Sequence, residues 1–154
     1  MAKKVKLSSL VDGLEVPFDG VSSYLNLATG EVLSLSDRVF VAAEDEEPID
    51  EFEGWEQTEY EFAVEILNHP EQYLELPDED EINEYRMMES FCYHHKDKKV
   101  KQQLSNAIIG RGAFRRFKDQ AISLGVIEDW YSFKRECYKD IMIEWCEMNG
   151  LEYE

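Results

Sequence analysis

Ile109-Gly110-Arg111-Gly112-Ala113-Phe114-Arg115-Arg116-Phe117-Lys118-Asp119 decides how the second half of the chain is read. Two glycines interrupt the preceding pattern, so a helix ends at Gly110 and another starts after Gly112. On a wheel at about 100° per residue, Ala113, Phe114, Phe117, Ala121 and Leu124 fall within roughly 100° of arc, a stripe that faces a core. Arg111, Arg115 and Lys118 share the neighbouring flank, and Arg116 lies on the far side. Gly125 ends the helix.

On either side, Asp97–Ile109 places Val100, Leu104, Ala107 and Ile108 on one helical side, and 127–149 does the same with Trp130, Phe133, Cys137, Ile141, Trp145 and Met148. A helix over 79–95, capped by Asp78 or Asp80, carries Ile82, Tyr85, Met88, Glu89 and Cys92. One over 56–68 carries Tyr60, Ala63, Val64 and Leu67 and stops before Pro70. Tyr73-Leu74-Glu75-Leu76-Pro77 reads as an extended link. Short links favour a helical array.

The N-terminal part reads differently. Leu7, Leu10, Val11 and Leu14 sit at i, i+3, i+4 and i+7, a short helix with Ser8 as N-cap and Pro17 beyond its end. Tyr24–Leu35 is a hairpin turning near Gly30, with Leu25, Leu27, Leu33 and Leu35 on one face and Tyr24, Asn26, Val32 and Ser34 on the other. Arg38-Val39-Phe40-Val41 is the expected third strand. The fold class is therefore α+β: a small N-terminal antiparallel sheet of two to three strands with one short helix, then a mainly helical array of about five helices. A single domain over 1–154 is expected, made of a helix-plus-meander part (1–43), an exposed, partly mobile acidic linker (44–54) and a helical part (55–154).

The net charge of −18 is concentrated in one segment. Residues 44–84 hold eighteen Asp/Glu and no Lys or Arg, whereas residues 85–154 hold twelve cations against eleven anions. An acidic pI thus does not exclude a polyanion as partner, because the local charge map differs from the global one. The linker lacks the glycine-centred ligand spacing of a calcium loop. Three cysteines, Cys92, Cys137 and Cys146, have neither even number nor close spacing, so reduced, mostly buried thiols are expected. No apolar run reaches the ~18 residues of a membrane span. A cytoplasmic protein with no membrane contact, cofactor or metal is expected. Glu89, Cys92 and His95 are too spread around a helix to form a metal set, and His94 and His69 do not complete one.

The functional candidate is an anion site made by Gly110, Arg111, Gly112, Arg115, Arg116 and Lys118. The glycines let backbone amides approach an anion at a helix start, and the guanidinium groups add directed donors. It is not a P-loop, because the lysine–hydroxyl ending is missing. The leading expectation is a binding protein that contacts nucleic acid or a phosphate, or else a protein partner. The competing expectation is an enzyme acting on a small phosphorylated or carboxylated substrate, with Arg111 and Arg115 as a clamp and Asp119 or a neighbouring carboxylate as base. A third is purely structural, with the arginines in internal ion pairs. No catalytic residue is assigned: no nucleophile motif occurs, and paired carboxylates are too plentiful to be diagnostic. The aromatic set Trp130, Tyr131, Phe133, Tyr138 and Trp145 reads as core rather than as a stacking platform.

Leu76-Pro77, Glu84-Tyr85-Arg86-Met87-Met88-Glu89-Ser90-Phe91, the Gly110–Asp119 run, Trp130-Tyr131 and Glu144-Trp145 resemble a bacterial family of uncharacterised proteins. The likeness extends from the Tyr24–Leu35 hairpin to Trp145, and the Gly-x-Gly-Ala-Phe-Arg-Arg-Phe-Lys-Asp run is its most specific part. It implies a bacterial cytoplasmic protein and carries over no catalytic residues.

Overall fold

A computed structural model describes residues 4–15, 20–48, 50, 52–78 and 82–154. Among them are seven α-helices and a three-stranded antiparallel sheet, so the fold is α+β. The chain forms two compact units: residues up to Asp78 together with Ile141–Glu154, and Glu79–Asp140.

In the first unit, α1 (Leu7–Leu14) buries Leu7, Leu10, Val11 and Leu14, the spacing that predicts it. Its N-cap is Lys6 rather than Ser8, because the Lys6 carbonyl already accepts from the Ser9 and Leu10 amides. Pro17 lies outside the described residues. Gly13 is buried too: a Cβ there would come within 3.0 Å of Val32 Cγ1 and Leu76 Cδ2, so glycine permits the close approach of α1 to the sheet.

The sheet has the order β2-β1-β3, with β1 (Val21–Asn26) central, β2 (Val32–Ser36) on one edge and β3 (Tyr73–Glu75) on the other. The hairpin forms as expected, with Gly30 at φ 79° and the Asn26 side chain accepting from the Ala28 amide at 2.9 Å. Its register corrects the expected faces. Tyr24 pairs with Leu33 and Leu25 with Val32, and directly paired residues share a face. Leu33 and Leu35 therefore lie on the Tyr24 side and Leu25 on the Val32 side, while Leu27 falls in the turn. Both faces are covered, which is why leucines occur on each: α1 packs on the Val32 side, and two further helices cover the other.

The Arg38–Val41 strand is also corrected. These residues belong to α2 (Asp37–Glu44), and the third strand is Tyr73–Glu75, the segment read as a link. Four β-prone residues suggest a strand by themselves, but Val39, Ala42 and Ala43 at i, i+3 and i+4 form a buried helical stripe. α3 (Trp55–Asn68) buries Tyr60, Ala63 and Ile66, while Leu67 of the expected face is exposed. With Leu35, Val39, Ala42, Ala43, Phe52 and Tyr73 these make one core. The acidic stretch is anchored to that core: Glu44–Glu47 are exposed, but Phe52 is only 3% exposed, and the Tyr60 hydroxyl donates to the Glu47 carbonyl.

The second unit contains α4 (Glu84–His94), α5 (Lys98–Ala107), α6 (Ala113–Ser123) and the first part of α7 (Ile127–Met148), whose residues from Ile141 belong to the first unit. Asn83 caps α4 and accepts from the Arg86 amide at 3.3 Å, and residues 79–81 of the expected helix lie outside the described residues. Asp80 lies outside the described residues. Met87, Met88, Phe91 and Cys92 are its buried side, and Tyr85 is partly exposed. Asp97 caps α5 by accepting from the amides of Lys99 and Val100 at 2.9 and 3.3 Å. Phe91, Phe117 and Trp130 form an edge-to-face cluster, with Trp130 4.9 Å from Phe117 and 5.6 Å from Phe91. No helix among the described residues is long and apolar enough to cross a membrane.

Candidate cation–aromatic surface at the start of α6

The five residues between α5 and α6 make a turn in which Gly110 (φ 79°) and Gly112 (φ 75°) occupy the left-handed region, where a side chain is strained. This geometry gathers backbone carbonyls. The Arg116 guanidinium donates from Nε to the Ala107 carbonyl at 3.0 Å, and from its two terminal nitrogens to the carbonyls of Arg111 and Ile109. The Tyr85 hydroxyl donates to the Ile108 carbonyl at 2.8 Å. The end of α5, whose last carbonyls have no intrahelical partner, is thus closed by one arginine and one tyrosine.

The helical wheel places Arg116 on the far side of its helix. Its long side chain instead reaches back under the turn, and its guanidinium is committed to carbonyls. It also limits the turn from inside, since a Cβ on Gly112 would sit 3.1 Å from an Arg116 terminal nitrogen.

The other three cations differ. Arg111, Arg115 and Lys118 are exposed, and none forms an ion pair or side-chain hydrogen bond among the described residues. The internal ion-pair network considered for Arg111 and Arg115 therefore does not form there. Ion pairs form elsewhere, at Arg38–Glu56 and Lys134–Glu84, both at 2.6 Å, with a longer His69–Glu71 contact at 3.8 Å.

Phe114 corrects the expected core stripe. Ala113, Phe117 and Ala121 are buried, but Phe114 is 52% exposed, with its ring edge-on to Tyr85 at 6.5 Å. Arg111, Phe114, Arg115 and Lys118 stand at i, i+3, i+4 and i+7, one outward face of α6 and the turn before it. That spacing is present in the sequence. On the wheel Phe114 stands at the edge of the apolar arc, between Phe117 and the cation flank, and in the structure it joins the cations. Ile109, 70% exposed, adds apolar surface at the same turn. Gly112 is the helix N-cap and has no side chain with which to cap it, so the first-turn amides keep their donor character. From Tyr93 to Lys118 the sequence holds eight cations and one anion, Asp97.

The remaining sequence candidates separate. Cys92 is buried while Glu89 on the same helix is exposed, and no three metal-ligating side chains converge among the described residues. Burial pushes the Cys92 thiol up to about 11 and also raises Cys137 and Cys146, so all three stay protonated and weakly nucleophilic at neutral pH. Trp130 and Tyr138 are core, whereas Tyr131 is partly exposed. A cleft of about 900 Å³ is lined by residues from 4–34 and 154, and by none from the Gly110–Asp119 turn.

Neither the curated proteins nor the solved structures contain a match to the chain. A family model covers nearly all of it, residues 4–154, and the chain belongs to that family, the uncharacterised protein family UPF0158.

Proposed function

We propose that the outward face of α6 binds a single-stranded nucleic acid. The observation that carries this reading is the alignment of Arg111, Phe114, Arg115 and Lys118 on one exposed helical face, with no carboxylate partner for the cations among the described residues. The cations suit phosphates, and a half-exposed phenylalanine between them suits an unstacked base. A free phosphate would use the cations and leave Phe114 idle. Arg116 acts indirectly, by holding the turn that presents Arg111. The enzyme reading has less support, because the cations form a surface face and the large cleft is lined by other residues.

Fluorescence anisotropy with labelled single-stranded RNA and DNA at low salt tests this. Binding should weaken as salt rises, and Arg111→Ala/Arg115→Ala should reduce the log–log salt slope by roughly 1.4, at about 0.7 for each phosphate no longer neutralised. Phe114→Ala should weaken binding by about 1–3 kcal/mol. No binding to either strand at low salt, or a double variant that binds like the parent, would overturn the reading.

A further inference from the structure

The first unit carries a separate opportunity, at the edge of its sheet. The Asp37 amide donates to the Gly20 carbonyl at 2.9 Å and the Asn26 amide to the Glu31 carbonyl at 2.8 Å. With Tyr24 opposite Leu33 between them, Leu33 and Leu35 turn their backbone groups toward β1. Val32, Ser34 and Ser36 turn theirs outward. The other side of β1 follows the same parity: the Leu76 amide donates to Ser23 at 2.9 Å and the Leu27 amide to Gln72 at 2.7 Å.

Of the outward groups on β2, the Ser36 amide is taken by Glu59 Oε1 at 3.3 Å. The outward N–H and C=O groups of Val32 and Ser34 have no partner among the described residues. Sheets generally cover or blunt such an edge. Here it opens on a cleft of about 900 Å³, lined by Val32–Ser34 of the strand, by Glu31 before it, and by Lys4, Lys6, Asp12 and Glu154. Neither lysine forms an ion pair among the described residues.

We infer that this cleft binds an extended peptide segment, which adds to β2 as a fourth strand. Two outward residues supply four main-chain hydrogen-bonding groups. They match about four residues of peptide, roughly 13 Å at ~3.3 Å per residue. Lys4 and Lys6, set among Asp12, Glu31 and Glu154, favour a peptide carrying both charge signs over a polyanion, so the occupant differs from that of the α6 face. A second copy pairing through its own β2 fits less well. Two residues of free edge fall far short of the ~1,200 Å² of a stable protein interface.

The test is selection from a displayed random peptide library on the full chain, followed by amide NMR with the enriched peptides. Expected are micromolar binders that shift the Val32 and Ser34 amide resonances and slow their hydrogen exchange. Ser34→Pro removes an outward N–H and no backbone hydrogen bond to β1, and should weaken binding at least about tenfold. Ser34 Oγ also lies 2.8 Å from Ser23 Oγ, so that variant can disturb the sheet. A second arm leaves the protein unchanged: N-methylation of the peptide at alternate residues should abolish binding in one phase and spare it in the other. The inference is overturned if no peptide is enriched, if Ser34→Pro binds normally, if methylation shows no alternation, or if the edge is protected by concentration-dependent dimerisation instead.

Discussion

Arg116 and Phe114 exchange the roles that their residue types imply. The apolar residue is half in solvent, and the charged one is bound to backbone. A planar fork can serve three carbonyls at once, whereas an ammonium is a single point with a different reach. Arg116→Lys is therefore expected to lose much of the closure and to destabilise the protein by about 1–2 kcal/mol in urea unfolding, since these carbonyls are partly open to water. An unchanged midpoint would mean that water replaces the guanidinium without loss. The buried positions Ala113, Phe117 and Ala121 are legible in the sequence because burial follows the helix's own period. The reach of Arg116 is not, because a wheel projects a residue onto its own axis and omits a turn folded beneath it.

At the scale of elements, the junction of β2, α2 and α3 is where sequence pattern and structure part, and the physical cause is tertiary. Arg38–Val41 has strand composition, but the core offers a helical stripe to Val39, Ala42 and Ala43. The strand role passes to Tyr73–Glu75, whose three residues are too few for periodicity to register. Glu59 of α3 holds the junction through the Ser36 amide, and its second carboxyl oxygen is buried without a partner among the described residues. Burial, with the Glu56 carboxylate adding to it, raises the Glu59 pKa above its ordinary value of 4.5, against the opposing Ser36 hydrogen bond. The folded state therefore holds this proton more tightly than the unfolded one. Stability from this group is present below about pH 4.5 and is lost as pH rises through the folded pKa. Glu59→Gln keeps an acceptor for Ser36 and removes the ionisation. Compared with the parent, its thermal midpoint should fall less as pH is raised from 4 to 7, at identical ionic strength. Parallel profiles would show that Glu59 does not titrate differently on folding.

For the whole molecule, the charge map is the most legible property, because it requires only counting. Its energetic sign follows. Eighteen carboxylates over residues 44–84 face no cation in the same segment, so self-repulsion outweighs the few ion pairs formed. Adding salt from low to about physiological ionic strength should raise the thermal midpoint, as screening shortens to about 8 Å. A falling midpoint would instead assign the balance to ion pairs. The division into two units is not legible in the sequence, since no linker composition marks residues 78 or 141. It also has a consequence in time. The first unit is discontinuous: Val5 is bridged to Tyr153, and the amide of Leu7 donates to the Glu154 carbonyl at 3.1 Å. During translation at ~5–20 residues per second, the 62 residues from Glu79 to Asp140 separate its two parts by roughly 3–12 s. For that interval the nascent sheet and α1 exist without their closing segment, while the inserted helices are still being synthesised.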